Sequence, residues 1–206
     1  MSAVDFPDLV PAEIEFGLRH NVQVSTSDLS GYVQTVELPG ARWVMTVTMP
    51  TLERANSQKF EAFIAKLRGG AVRASLPVFR RSAPLGSWAG APAVENEIGS
   101  PSLVQNGNTL EVKNATAYAT FNAGDYFNLG AGGQLLMVTE DAVADSGGRV
   151  QLAVAPSIRS APATGVLLVS ANPKIPLAML TEPEQRWRVM PADLYEHALQ
   201  FVEVFA

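Results

Sequence analysis

Residues 13–24, EIEFGLRHNVQV, alternate apolar and polar positions without a break. Ile14, Phe16, Leu18, His20, Val22 and Val24 fall on one side, and Glu13, Glu15, Arg19, Asn21 and Gln23 on the other. A period of two predicts a strand in a sheet with one covered and one wet face. The DLSG stretch at 28–31 carries turn chemistry. Residues 32–38 and 41–49 then read as a hairpin about Pro39-Gly40, with Trp43, Met45, Val47 and Met49 pointing one way.

At residue 50 the period changes. Pro50 ends the strand, and Thr51 is placed to cap a helix by accepting from a first-turn amide. Leu52, Phe60, Phe63, Ile64 and Leu67 form a stripe at helical spacing, which predicts core packing. Glu53 near the start and Lys66 and Arg68 near the end complement the helix dipole. Gly69 can take the left-handed conformation that closes a helix.

Residues 72–79 return to strand character, and 82–108 shift to a Pro-, Gly-, Ser- and Asn-rich composition expected of a crossing between domains or a long surface loop. Short strand candidates follow at 109–113, 117–121, 126–129, 134–139, 149–154 and 165–170, spaced as in a small barrel or sandwich. A last strand group covers 175–180, 185–190 and 194–205. The pattern thus predicts a mainly β chain with one helix.

Composition narrows the function. The 206 residues are 47% hydrophobic, enough for an ordinary core, and the net charge of −5 argues against a general nucleic-acid or anionic-membrane surface. With no cysteine, disulfides and Cys-based zinc sites are excluded. The N-terminus, MSAVDFPDLVPAEIEFG, has neither a basic start nor an apolar run, so no secretory signal is expected. No segment approaches the roughly 20 apolar residues of a membrane-spanning helix.

Chemistry is sparse. The two histidines, His20 and His197, lie in strands, where hydrogen-bonded core roles are expected of them. No phosphate loop, His-x-x-x-His or Gly-x-Ser-x-Gly pattern occurs. GAGG at 130–133 reads as a hairpin turn, and DAVADSGG at 141–148 lacks the ligand spacing of a calcium loop and reads as a polar turn. Asn114 begins a glycosylation sequon that matters only in a secreted chain. Asp125, Glu140 and Asp141 are the acids on which a carboxylate-pair hydrolase would draw. Trp88, beside Gly and Pro in the linker, is a candidate interface anchor. Arg80 and Arg81 read as a solvated strand end or as interface residues. No catalytic, metal-binding or cofactor-binding residue is assigned.

The order of elements resembles the distal tail proteins of long-tailed bacteriophages and of related gene transfer agents. The resemblance lies in STSDLSGYVQTVELPGARWVMTVTMP (25–50, with Gln34 and Arg42-Trp43), FEAFIAKLRGG (60–70), AGDYFNLG (123–130), VTEDAVADSGGRVQLAVAPSIR (138–159) and the closing Pro-rich strands, together more than half the chain. It implies a ring-forming β-sandwich with one packed helix, residues 1–80 with 175–206, and an inserted small β-barrel-like domain of the OB type, residues 81–174. It further implies a structural, non-enzymatic virion protein without cofactors, assembled in the host cytoplasm and placed at the distal end of the tail. There a homohexameric ring joins the tail tube protein to the baseplate hub protein, with the tape measure protein and tail fibres as further neighbours. DNA passes through the channel without specific binding. Candidate interface residues are then Gln34, Arg42, Arg80, Arg81 and Trp88. The competing expectation is a carbohydrate-binding, lectin-like β module using Trp88, Tyr118 and Tyr126 as platforms.

Overall fold

A computed structural model describes residues 3–88, 92–95, 107–184, 186, 188–190 and 194–205. The first half of the chain supplies β1 (Val4–Asp5), β2 (Glu13–Thr26), β3 (Val33–Thr48), β4 (Leu52–Glu53), helix α1 (Arg54–Leu67) and β5 (Ala74–Pro77). The middle supplies β6 (Ala93–Val94), β7 (Gly107–Lys113), β8 (Thr120–Phe121), β9 (Tyr126–Leu129), β10 (Leu135–Val138), β11 (Ala142–Val143), β12 (Val150–Ile158) and β13 (Leu168–Val169). The last part supplies β14 (Lys174–Leu180), β15 (Arg188–Met190), β16 (Leu194–Glu196) and β17 (Ala198–Glu203). The protein is mainly β with one α-helix.

One sheet runs β1-β5-β14-β17-β3-β2 and so draws on both ends of the chain. A second runs β13-β9-β10-β12-β7-β6, entirely from the middle. Its two outer strands meet: Ala93 bridges Leu167, Val94 N–H donates to Val166 O at 2.8 Å, and Leu168 N–H donates to Pro92 O at 2.8 Å. These bonds nearly close the second sheet into a barrel, which leaves little free edge.

Each sheet has its own core. Trp43, Met45 and Val47 of β3 meet Leu76, Ile175, Phe201 and the α1 stripe in the first. Leu110, Phe121, Phe127, Val138 and Leu152 fill the barrel. Four of the five stripe residues take the expected place: Phe60, Phe63, Ile64 and Leu67 are buried in the helix, Lys59 and Lys66 are exposed, and Glu61 is half-buried. Leu52 is buried too, but as part of β4.

Two local expectations need correction. Thr51 does not cap the helix. Leu52 and Glu53 instead pair with Tyr195 and Leu194 of β16, so the segment is strand, and Glu53 holds the cap position in an extended conformation with no side-chain bond. At the other end Arg68 (φ 48°) and Gly69 (φ 62°) are both left-handed, closing the helix where the double glycine lies. The second glycine answers to space: a Cβ on Gly70 would meet Leu180 O at 2.9 Å. The second correction concerns Pro39-Gly40. It is not the turn of a hairpin but a bulge within the single long strand β3. The reversal occurs earlier, at 27–32, where Ser27 N–H donates to Tyr32 O at 2.9 Å.

A candidate assembly surface

The paired strands β2 and β3 have an inner half that belongs to the first core and an outer half that, among the described residues, is buried against no other element. Inner pairs run from Glu13↔Thr48 to Arg19↔Arg42, and outer pairs from Asn21↔Leu38 to Thr26↔Val33. Between them β3 carries extra residues, and Gly40 at φ 113° takes the conformation that the bulge requires. Asn21 Nδ2 donates to Pro39 O at 3.0 Å across the bulge. Every residue from Arg19 to Pro39 is exposed. The outer half is therefore an arm standing away from the body.

Its composition is that of a surface meant to be covered. Val22 and Val24 continue the alternate positions of Ile14, Phe16 and Leu18, and across the arm they face Glu37 and Thr35. Thr26↔Val33 extends the same face. The opposite face pairs Leu38, Val36 and Gln34 with Asn21, Gln23 and Ser25. At the tip Leu29 is fully exposed and Tyr32 is 81% exposed. Between residues 21 and 36 the only charged side chain is Asp28. β2 is the last strand in its sheet, and residues 33–41 of β3 have β2 as their strand partner on one side only among the described residues. Long edges with β-branched side chains and few charges invite strand pairing with another chain. His20 is corrected here: instead of lying in a core it is half-exposed at the arm's base, 3.8 Å from Glu37.

The arm's root is clamped. Phe16 stacks on Trp43 with centroids 4.9 Å apart, and Trp43 Nε1 donates to Leu135 O at 3.0 Å. Glu203, 1% exposed, accepts from Arg159 Nη1 at 2.9 Å, from Arg159 Nη2 at 2.6 Å and from Trp43 N–H at 3.1 Å. Arg159 also donates to Ala41 O at 3.1 Å and lies 3.8 Å over the Phe205 ring. One guanidinium at the end of β12 thus ties the barrel to both strands of the first sheet nearest the arm. Glu203→Gln keeps the shape but removes the charge opposite Arg159. The expected loss is about 2–3 kcal/mol, below the ~3–5 of a fully enclosed pair because Arg159 keeps access to water. Urea titration of the two proteins checks it.

A cleft of about 760 Å³ opens at the other end of β2. Ile14, Phe16, Phe79 and Tyr126 give it apolar walls, and Arg80 and Arg81 stand at it exposed. Arg80 is left-handed at φ 60°. The Arg81 guanidinium lies 5.4 Å over the Tyr126 ring. Burial pushes the Tyr126 phenol up, against the opposing pull of Arg81. Asp125 below is taken up by structure: its carboxylate accepts from Leu85 N–H (2.6 Å), Gly86 N–H (3.1 Å), Asn122 N–H (3.1 Å) and Trp88 Nε1 (3.1 Å). Trp88 is therefore not an exposed anchor. It is 4% exposed, stacks on Phe121 at 4.9 Å, and holds the linker's start to the barrel core. The sequence signal for this was Asp125 in its AGD turn, whose partner no spacing reveals. Among the other candidates, Gln34 lies on the arm opposite Ser25, and Arg42 sits at its root over Phe205 at 4.8 Å. The structure thus places Gln34 on the outer arm, Arg42 midway along the strand pair at the arm's root, and Arg80 and Arg81 at the cleft by the first residues of β2.

The remaining polar clusters serve turns and packing. Asp141 accepts from Ala123 N–H at 2.7 Å, and Asp145 from Gly147 and Arg149 N–H at 2.8 Å; residues 144–148 are the polar turn expected of DAVADSGG, whereas Ala142–Val143 within it are strand β11. GAGG joins β9 to β10 as a hairpin. Ser57 and His197 are buried 3.0 Å apart, with Ser57 Oγ 2.7 Å from Glu61 Oε1. A serine has one proton to give. Donated to the Glu61 carboxylate, it leaves Oγ to accept from His197 Nε2–H, the reverse of a serine activated by a histidine base. Burial holds the His197 pKa below its ordinary value, against the pull of Glu61. The folded protein thus resists protonation that the unfolded chain accepts near pH 6.5. Stability from this group is present above that pH and is lost as pH falls below it. Melting temperatures between pH 7.5 and 5.5 are expected to fall more steeply for the native protein than for His197→Gln.

Among the described residues no helix is long and apolar enough to cross a membrane. A scan against protein-family models finds no match, and a comparison with curated proteins finds none with significant similarity.

Proposed function

We propose that this chain is a structural virion protein of a long-tailed phage or gene transfer agent, forming a hexameric ring between tail tube and baseplate hub in the manner of a distal tail protein. One observation carries the reading: the β2–β3 arm extends into solvent a strand pair with Asp28 as the single charged side chain between residues 21 and 36, a surface suited to pairing with another chain. Self-association through the arm makes β2 and β3 the ring-building element. The tail tube protein and hub protein are the proposed neighbours above and below.

The acidic balance of −5 suits a conduit. Lysine and arginine contacts to phosphates would hold DNA in a salt-sensitive way and retard its passage. Assembled rings are therefore expected to bind duplex DNA weakly at physiological salt in a gel-shift titration. Tight binding that weakens steeply with salt would contradict the passive channel.

The test of the function is electron microscopy of the purified protein, alone and mixed with a candidate tail-tube protein. The reading predicts closed rings that stack on tube ends. Particles that stay single and bind glycans would replace it with the lectin-like alternative.

A further inference from the structure

We infer that the tip of each arm, Asp28-Leu29 with Tyr32, docks in the Arg80–Arg81 cleft of a neighbouring copy; this rests on the ring reading above. Two observations converge. The cleft offers two exposed guanidiniums above walls of Ile14, Phe16, Phe79 and Tyr126. The tip offers the arm's single carboxylate between residues 21 and 36, beside a leucine with no cover at all. The tip thus offers a carboxylate and apolar surface where the cleft offers guanidiniums and apolar walls. Glu13 also lines the cleft, but it is exposed, and the Asp125 carboxylate is already held by four N–H donors.

Geometry excludes the subunit's own tip. The cleft is built on the first residues of β2 and the tip follows its last, so at about 3.3 Å per residue the two lie roughly 40 Å apart along one stiff strand pair. The occupant must come from another copy. A contact between unlike ends of identical subunits is head-to-tail, and head-to-tail contacts close into rings when the rotation permits. The arm supplies reach, since Asn21 to Ser27 project about 20 Å beyond the bulge at the same rise.

The chain has no cysteine, so pairs can be introduced cleanly. Leu29→Cys and Leu85→Cys proteins are mixed and oxidised; Leu85 is a 78% exposed residue of the cleft lining. A 29–85 disulfide between copies is expected, while Leu29→Cys mixed with Val143→Cys, exposed on β11, gives none. In parallel, Asp28→Arg is expected to raise the assembly midpoint about tenfold, the scale of a lost charge pair at an interface. Combining it with Arg80→Asp and Arg81→Glu restores assembly. Melting curves of the single copies verify that these exposed substitutions leave the fold intact. Closed rings without the 29–85 disulfide and without charge-swap rescue would overturn the docking but leave the ring. Single copies under all conditions would overturn both.

Discussion

Replacing residues 22–37 by Asn-Gly is expected to give a folded subunit that no longer assembles. Asn21 and Leu38 are direct cross-strand partners, so a two-residue turn between them restores a hairpin of ordinary geometry. The excised residues are all exposed, and the clamps at Trp43, Arg159 and Glu203 lie outside the cut. Removing them leaves no cavity, so the melting temperature should move by only a few degrees, whereas surface available to a neighbour disappears. Light scattering beside thermal melting measures both. Undiminished assembly by the shortened protein would move the ring contact elsewhere; loss of folding would show that the arm is part of the subunit's own stability.

Phe63→Ala should instead unfold the subunit readily while touching no interface. The ring is 4% exposed, meets Phe6 edge-on at 5.4 Å, and lies 6.0 Å from Phe60. Truncation removes its burial and leaves a cavity that a strand and helix on either side cannot close, at a cost of about 3–5 kcal/mol. That is a large share of the ~5–15 kcal/mol that holds a typical domain together. Lys59→Ala, one turn away on the wet face, should cost less than about 0.5 kcal/mol. Denaturant titration separates the two outcomes, and equal costs would mean that the helix is turned the other way.

The helix face and the strand positions were readable because burial imposes a period. Phe60, Phe63, Ile64 and Leu67 repeat at helical spacing, and Trp43, Met45 and Val47 alternate, each for a single core. Sequence reasoning failed where one local signal has two structural meanings. Pro39-Gly40 has turn chemistry, and a bulge uses the same left-handed glycine. Thr51 has capping chemistry, but β16, from 140 residues further along, takes that backbone into a sheet. Trp88 sits among turn residues, and only the fold brings Asp125 beneath it. The candidate surface was half-legible. The alternation from Ile14 to Val24 announces a covered face, yet where the subunit's core ends along that strand depends on β17, which pairs with β3 only as far as Val44. The Arg80–Arg81 cleft was invisible for the same reason, since its walls come from four separate stretches of chain.

Native mass spectrometry of the full chain tests the central claim most directly. With a candidate tail-tube protein present or at high protein concentration, the account predicts one discrete assembly of six copies of the 22.0 kDa subunit, absent when the arm is shortened. A single copy under every condition, or an open series of masses with no preferred size, would contradict it.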